Sequence, residues 1–234
     1  MAKRHGRNRK QDSDETLVDL VEVSGQTQDF LERNQKTIFG VLTALVVIIG
    51  GIFVYRNFVQ QPKEREAQSQ IAQAQYQFER DSFAVALKNP GGGFPGFVDI
   101  IDQYGGTETA DLAKYYAGIS HLNLGSYQAA IDYLNDFDAD GEILPIVKYG
   151  ALGDAYSELN DFEEALDLYR QAAQEGEDVD ILAAYYWKKY GMLSEVQGNF
   201  GDALDAYQTI KDQYSTTPDA QDIDKYIIRV QGRG

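Results

Sequence analysis

The N-terminal part of the chain contains one long run of apolar residues. Residues 38–55 read IFGVLTALVVIIGGIFVY, without a charge and with Thr43 as the one polar side chain. At about 1.5 Å per residue, a helix of this length spans about 27 Å, close to the hydrocarbon thickness of a bilayer. Lys36 precedes the run, and Tyr55 and Arg56 follow its last aliphatic residue. Aromatic and basic residues are typical of the ends of a membrane-spanning helix, where they lie at the membrane surface. The pattern predicts a single transmembrane helix over residues 38–56.

Two interpretations of this apolar run compete. A cleaved signal peptide has a short basic start, a shorter apolar core and a small-x-small cleavage site soon after it. Here the apolar run begins after 37 residues and is followed by Arg56, Asn57 and Phe58. We therefore expect an uncleaved signal anchor.

The tail of residues 1–37 holds seven basic and seven acidic residues, so it gives a weak orientation signal. Basic residues in short flanking loops favour the cytoplasm, whereas long domains cross a membrane largely regardless of charge. We expect a cytoplasmic tail and a C-terminal domain on the periplasmic side of a bacterial inner membrane. A short juxtamembrane helix over residues 26–36 would place Phe30 and Leu31 on the membrane. The basic residues within positions 3–10 fit a solvated tail, with anionic lipid or RNA as alternative contacts.

A helical pattern follows the apolar run. Residues 64–87 are rich in Glu, Gln, Ala and Arg, and apolar side chains recur at Ile71, Ala74, Phe78 and Val85. These residue types favour helices, so residues 57–89 are predicted to form one long helix that emerges from the membrane. Residues 89–93, Asn-Pro-Gly-Gly-Gly, end it, because proline and glycine destabilise a helix interior.

The sequence beyond position 90 is self-similar, with a period of about 34 residues. Each of three copies has a glycine, a turn that ends in an aromatic residue, and an alanine. The copies comprise Gly118, residues 124–127 and Ala130; Gly153, residues 160–162 and Ala165; and Gly191, residues 198–200 and Ala203. The second interval between glycines is slightly longer than the first, which places the extra residues in the loop 174–180. The pattern predicts helical hairpins whose two helices cross closely at the small residues.

These shared residues resemble the tetratricopeptide-repeat family. The resemblance implies an all-α helical solenoid over residues 90–234. The first copy departs from the family pattern, with Lys114 where tryptophan is frequent and His121 where tyrosine is frequent. Residues 94–104 suggest a degenerate helix before the first copy. Pro218 and Asp219 open a final amphipathic helix, which is expected to cap the exposed face of the last repeat.

Composition restricts the function classes. The chain of 234 residues has no cysteine, which excludes disulfides, thiolate metal sites and a cysteine nucleophile. Residues 1–56 hold eight of the 21 basic and seven of the 37 acidic residues, so residues 57–234 carry a net charge of −17. A field of that sign repels phosphate backbones, so no nucleic-acid partner is expected for the repeat domain.

Three motifs resemble chemical sites but lack the required context. Residues 91–96 fit G-x-G-x-x-G, yet a dinucleotide fingerprint follows a strand and here follows a predicted helix. Residues 136–141 fit the start of a calcium loop, but its twelfth position, normally glutamate, is Val147. His5 and His121 have no partner ligand at helical spacing. We expect no metal, no cofactor, no catalytic residue and no enzymatic activity.

The resemblance also implies a concave groove formed by the first helix of each repeat. Carried over residue by residue, the groove-facing positions are Tyr115, Ile119, Asp154, Ser157, Tyr185, Lys188 and Met192. The Lys and Asn clamp by which some members of the family hold a terminal carboxylate is absent. A mixed aromatic and acidic groove suits an extended or helical peptide or a folded domain. In the alternative, the chain's own helix over residues 64–87 fills the groove.

The order of tail, anchor, emerging helix and acidic repeat domain is similar to that of the YfgM-type ancillary subunits of the bacterial Sec translocon. That resemblance implies an accessory subunit of SecYEG that works with a PpiD-like periplasmic chaperone in protein export or membrane insertion. Two alternatives remain open: a scaffold for another envelope complex, such as outer-membrane assembly or cell division, and an adaptor that faces the cytosol.

Overall fold

A computed structural model describes residues 34–37 and 39–233 of the chain. The expected contacts of the basic tail and the positions of Phe30 and Leu31 therefore lie outside the described residues. The chain divides into two units, Met1–Val59 and Gln60–Gly234. The described residues form helices, turns and loops without a strand, so the all-α prediction is confirmed for them.

The described part of the first unit is helical. Residues 39–55 form helix α1, and its large apolar side chains are all exposed. Its one polar side chain is satisfied internally, since Thr43 Oγ1 donates to the carbonyl oxygen of Phe39 at 2.8 Å. Among the described residues, one helical stretch, Asn34–Phe78, is long and apolar enough to cross a membrane. That finding rests on length and composition, with a mean hydropathy of 2.6 over its most apolar 18 residues.

The second unit is a series of antiparallel helical hairpins that follow a π-helical turn at Arg56–Gln60. The first hairpin comprises α2 (Gln61–Phe78) and α3 (Phe83–Lys88), and α4 (Phe97–Tyr104) follows it. The next three hairpins pair α5 (Glu108–Asn123) with α6 (Tyr127–Asp136), α7 (Leu144–Glu158) with α8 (Phe162–Glu175), and α9 (Asp180–Val196) with α10 (Phe200–Gln213). A 3-10 turn at Pro218–Ala220 and α11 (Ile223–Gln231) end the described chain.

The two helices of each repeat hairpin cross at the expected glycine. A Cβ atom added at Gly118 would lie 2.6 Å from Leu134 Cγ, and one added at Gly153 would lie 2.8 Å from the Tyr169 ring. At Gly191 the added atom would lie 2.5 Å from the Tyr207 ring. Since real Cβ contacts are longer than this, each glycine permits an approach that any other residue would block.

The turn within each hairpin also repeats. Gly125, Asn160 and Gly198 all have positive φ, at 74°, 62° and 80°. In each turn the next backbone N–H donates to the carbonyl oxygen five residues earlier, at 2.9 Å from Ser126, 3.0 Å from Asp161 and 2.8 Å from Asn199. This is the helix-ending arrangement in which a left-handed residue satisfies terminal carbonyls. The three copies identified in the sequence therefore share one backbone geometry.

The helix expected over residues 64–87 is instead the hairpin of α2 and α3. Asp81 has φ 55°, and Ser82 N donates to Gln77 O at 2.9 Å, as in the other three turns. Ala74 and Ala86 are both buried, at the same spacing as Gly118 and Ala130 of the next hairpin. The first hairpin is therefore a degenerate fourth copy of the repeat.

Aromatic packing explains the reversal after α2. The Phe78 ring meets the Phe83 ring edge-on at 5.4 Å between centroids, and it also contacts Phe97 and Tyr116. A straight helix would carry Phe83 away from Phe78 and expose Ala86 and Leu87, which the hairpin buries. The polar residues 79–82 form the turn.

Polar contacts hold the start of α2 against the first turn of α5 and the loop that precedes it. Glu64 accepts hydrogen bonds from the Thr109 hydroxyl at 2.5 Å and from its backbone N–H at 3.3 Å. Burial acts to raise the pKa of the Glu64 carboxyl, but these bonds and those of Gln68 and Glu108 together outweigh it, so the pKa is lowered. Lys63 Nζ donates to Gly105 O at 2.9 Å. Helix α2 thus belongs to the repeat unit and packs on α3, α4 and α5.

Helix α11 covers the apolar side of the last hairpin. Ile223, Ile227 and Val230 are buried together with Tyr207 and Ile210 of α10. Asp219, predicted in the first turn of this helix, lies before it in the 3-10 turn, where it pairs with Lys188.

The close crossing at Gly191 gives a stability prediction. Gly191→Ala should lower the free energy of unfolding by about 1–3 kcal/mol, because the added methyl group overlaps the fully buried Tyr207 ring. The measurement is urea denaturation of the full chain in a mild detergent, with circular dichroism as the signal of unfolding. Gly201→Ala is the matched control, since nothing lies within 4 Å of its added Cβ. The free energy of unfolding of the control should be unchanged or higher by up to about 1 kcal/mol. An equal decrease of that free energy in both variants would contradict the close crossing at Gly191.

Candidate protein-binding cleft

The first helices of the three clear repeats line a cleft of about 620 Å³. Helix α5 contributes Tyr115 and Ile119, α7 contributes Ala151 and Asp154, and α9 contributes Tyr186 and Lys189 among other residues. None of its described lining residues comes from residues 64–87. Residues 64–87 therefore do not fill the cleft, and no other described segment occupies it.

Asp154 is the polar centre of the cleft. Its Oδ1 accepts a hydrogen bond from the Tyr169 hydroxyl at 2.6 Å and one from Lys189 Nζ at 2.5 Å. Lys189 also lies over the rings of Tyr169 and Tyr185, at 5.4 and 5.2 Å from their centroids. Because Asp154 and Tyr169 belong to one hairpin and Lys189 to the next, this cluster connects two repeats across the cleft.

The floor of the cleft depends on a second glycine of α7. A Cβ atom added at Gly150 would overlap the Tyr186 ring, so the missing side chain lets this tyrosine pack against α7. Tyr186 is buried and contacts Tyr185 edge-on at 5.0 Å. Glycine thus allows close approach between repeats as well as within them.

Burial raises the pKa of three tyrosines that line the cleft. The pKa of Tyr169 is raised well above its ordinary value, first by burial and then by the charge and hydrogen bond of Asp154. Burial and the same carboxylate raise the pKa of Tyr186, and burial raises that of Tyr115. These phenols are hydrogen-bond donors at any physiological pH.

The rim of the cleft carries one further carboxylate. Glu158 Oε2 accepts a hydrogen bond from the Tyr127 hydroxyl at 3.0 Å, and both residues line the cleft. The hydrogen bond raises the pKa of Tyr127. The cleft therefore combines aromatic surface, one neutralised acid and one exposed acid, an arrangement suited to binding and orienting a polypeptide.

Four of the seven residues expected to face a groove line this cleft: Tyr115, Ile119, Asp154 and Ser157. Tyr185, Lys188 and Met192 do not line it. Tyr185 and Met192 are exposed on α9, while Lys188 pairs with Asp219 at 2.7 Å and lies 5.3 Å from the Tyr226 ring. A binding role for all seven residues stays a prediction.

The sequence pattern alone does not identify Tyr169, Tyr186 and Lys189 as residues of the cleft. The repeat spacing is a signal that could have found Lys189, because the shift that carries Gly153 onto Gly191 also carries Ala151 onto Lys189. Tyr169 comes from the second helix of its repeat, from which no groove residue is expected.

The residue 136–141 loop and His121 take part in internal contacts. Asp138 N donates to Asp111, and Lys114 Nζ binds Asp111 and the carbonyl oxygen of Asp136, so the residue 136–141 loop is held by side chains of α5. Within the described residues no group of His, Asp and Glu could hold a metal ion. His121 stacks on Tyr133 at 5.4 Å, and burial, with the charge of Lys88, lowers its pKa.

A double-mutant cycle measures the contact across the repeats. Asp154→Ala, Lys189→Ala and the double variant should give a coupling energy of about 1 kcal/mol, since both side chains are half-buried. The pair Lys211 and Asp224 is the matched control: its side chains are more exposed, and its coupling energy should be clearly smaller because solvent screens the two charges. Equal coupling in both pairs, from urea denaturation, would contradict a special role for the pair in the cleft.

The raised pKa of Tyr169 predicts a pH dependence. Folding favours the neutral phenol, so its contribution to stability is complete below the unfolded pKa of about 10 and is lost as pH rises above that value. The free energy of unfolding of the natural chain should therefore fall more steeply above pH ~10 than that of Tyr169→Phe. Parallel curves for the two proteins, measured by urea denaturation at each pH, would argue against the raised pKa.

Comparison with known proteins identifies the repeats. Residues 151–218 match the family described as Tetratricopeptide repeat, and this segment spans the second half of α7 and all of α8, α9 and α10. No curated protein matches the chain. The prediction of tetratricopeptide repeats is thus confirmed for this segment, and such repeats are generally non-catalytic scaffolds. The repeats indicate a protein–protein interaction adaptor.

Proposed function

We propose that this protein is an adaptor held to a bacterial inner membrane by one transmembrane helix, with its repeat unit in the periplasm. The exposed apolar surface of α1 supports the anchor, because so large an apolar area is stable in lipid and costly in water. The tail before α1 would remain in the cytoplasm. The acidic repeat unit would face its partners on the other side.

The open cleft is the observation that carries the adaptor function. Its tyrosines, together with Asp154 and Lys189, form a pre-organised surface with donors, acceptors and aromatic faces already fixed by internal contacts. Pre-organised surfaces bind with a smaller entropic cost than flexible ones. The cleft is the surface on which a partner segment would lie.

We further propose that the partners are the SecYEG translocon and a PpiD-like periplasmic chaperone. The order of tail, apolar helix and acidic repeat unit supports this role, because it is the layout of the YfgM-type subunits that the sequence resembles. The protein would bring a chaperone to polypeptides as they leave the channel. It would act by binding and not by catalysis.

The test is purification of the tagged full chain from its native membrane in a gentle detergent, with mass spectrometry of the proteins that accompany it. Recovery of SecY, SecE or SecG together with a prolyl-isomerase-like chaperone is the expected result. Reproducible absence of these proteins, with outer-membrane assembly or division proteins in their place, would contradict the translocon role and favour an envelope scaffold. A C-terminal alkaline phosphatase fusion, active only after export, tests the orientation.

A matched pair of variants tests whether recovery of the chaperone depends on the cleft. Glu158→Arg reverses a charge on its rim, and Glu163→Arg makes the same change on the exposed face of α8, outside the cleft. We expect Glu158→Arg to lower chaperone recovery about fivefold, equivalent to about 1 kcal/mol, and Glu163→Arg to leave it unchanged. Equal recovery with both variants would show that partners bind elsewhere.

A further inference from the structure

Helix α9 carries an apolar stripe that no described element covers. The stripe consists of Ile181, Tyr185, Met192 and Val196, which are 63%, 42%, 45% and 76% exposed. At about 100° per residue, these four positions fall within about 60° of one another around the helix. The opposite side of α9 is buried through Ala183, Ala184, Tyr186 and Gly191. We call this exposed surface the α9 stripe.

The α9 stripe continues the binding surface of the preceding repeat. Its last three members are the repeat equivalents of Val147, Asp154 and Glu158, and those three residues of α7 line the cleft. Tyr185 also contacts Lys189 of the cleft. Repeat equivalence therefore places the stripe on the same concave side as the cleft, where polar positions of α7 are replaced by apolar ones on α9.

The lysines beside the α9 stripe are both neutralised within the chain. Lys188 pairs with Asp219 and Lys189 pairs with Asp154. The acids at the start of α9 are not: Glu177, Asp178 and Asp180 are exposed, and none of them forms a salt bridge within the described residues. One end of the apolar stripe is therefore flanked by unneutralised negative charge.

Shape and charge together select one class of partner. From Ile181 to Val196 the stripe extends about 22 Å along the helix axis, which matches the apolar face of a helix of about four turns. The net charge of −17 over residues 57–234 favours a positively charged partner. We propose that the α9 stripe docks a basic amphipathic helix of a partner protein, with apolar side chains on the stripe and basic ones beside Glu177, Asp178 and Asp180. This proposal rests on the adaptor function and names the class of segment that the adaptor binds.

The test uses the full chain in nanodiscs of zwitterionic lipid and a fluorescent peptide of about 16 leucine and lysine residues in an amphipathic helical pattern. Empty nanodiscs supply the background from lipid binding. We expect saturable binding above that background, and about tenfold weaker binding by Met192→Glu and by Val196→Glu. Val85→Glu is the matched control, since Val85 is 43% exposed on α3, outside both the cleft and the α9 stripe. Its affinity should equal that of the natural chain, with equal thermal unfolding in all four proteins.

Four results would overturn the proposal. Undiminished binding by the two stripe variants would show that the peptide lies elsewhere. Equal affinity for a peptide in which every lysine is replaced by glutamate would contradict the charge selection. Loss of a dimer in the stripe variants, measured by the mass of the loaded nanodiscs, would show that a second copy covers the stripe. Failure of the peptide test with retained recovery of partners from membranes would remove this partner class and leave the adaptor function standing.

Discussion

The structure depends on the close crossing of two helices at one glycine in each repeat hairpin. Where Gly153 has no side chain, the Tyr169 ring fills the space, and this fixes the distance and rotation of α8 against α7. The same ring carries the hydroxyl that binds Asp154, and Asp154 in turn binds Lys189 of the next hairpin. A packing constraint inside one repeat therefore sets the position of the charged pair in the cleft.

Stability and shape come from different contacts. Fully buried side chains such as Tyr207, Phe97 and Ile146 each contribute roughly 1.5–3 kcal/mol through burial of apolar surface. The two ion pairs of α9, Lys188 with Asp219 and Lys189 with Asp154, are partly exposed and contribute on the order of 1 kcal/mol or less. The pair of Asp154 and Lys189 fixes how one hairpin lies on the next, and the pair of Lys188 and Asp219 joins α9 to the 3-10 turn. This division lets the cleft vary in polarity while the apolar core keeps the array folded.

The sequence predicts those features that depend on local spacing. The glycines, the left-handed turns and the three hairpins follow from residue types within one repeat. The hairpin of α2 and α3 is not predicted from the sequence. It shares the backbone geometry of the later copies, but it has Ala74 where they have glycine and Asp81 where they have glycine or asparagine, so the residue pattern does not repeat there. In the third repeat the cleft is lined by Tyr186 and Lys189, each one position after an expected residue. One position rotates a helix by about 100°. The repeat spacing reaches Lys189, the equivalent of Ala151, but it does not reach Tyr186, because the equivalent residue Lys148 does not line the cleft.

The C-terminal helix does not explain why the α9 stripe is exposed. A repeat array must cover the apolar face of its last hairpin, and α11 does so by burying Ile223, Ile227 and Val230 with residues of α10. Further contacts join this segment to α9 itself, through Lys188 with Asp219 and Glu195 with Arg229. The cap therefore reaches α9 and still leaves Met192 and Val196 uncovered. Since the contacts of α11 do not account for their exposure, the apolar stripe is a property of the concave surface.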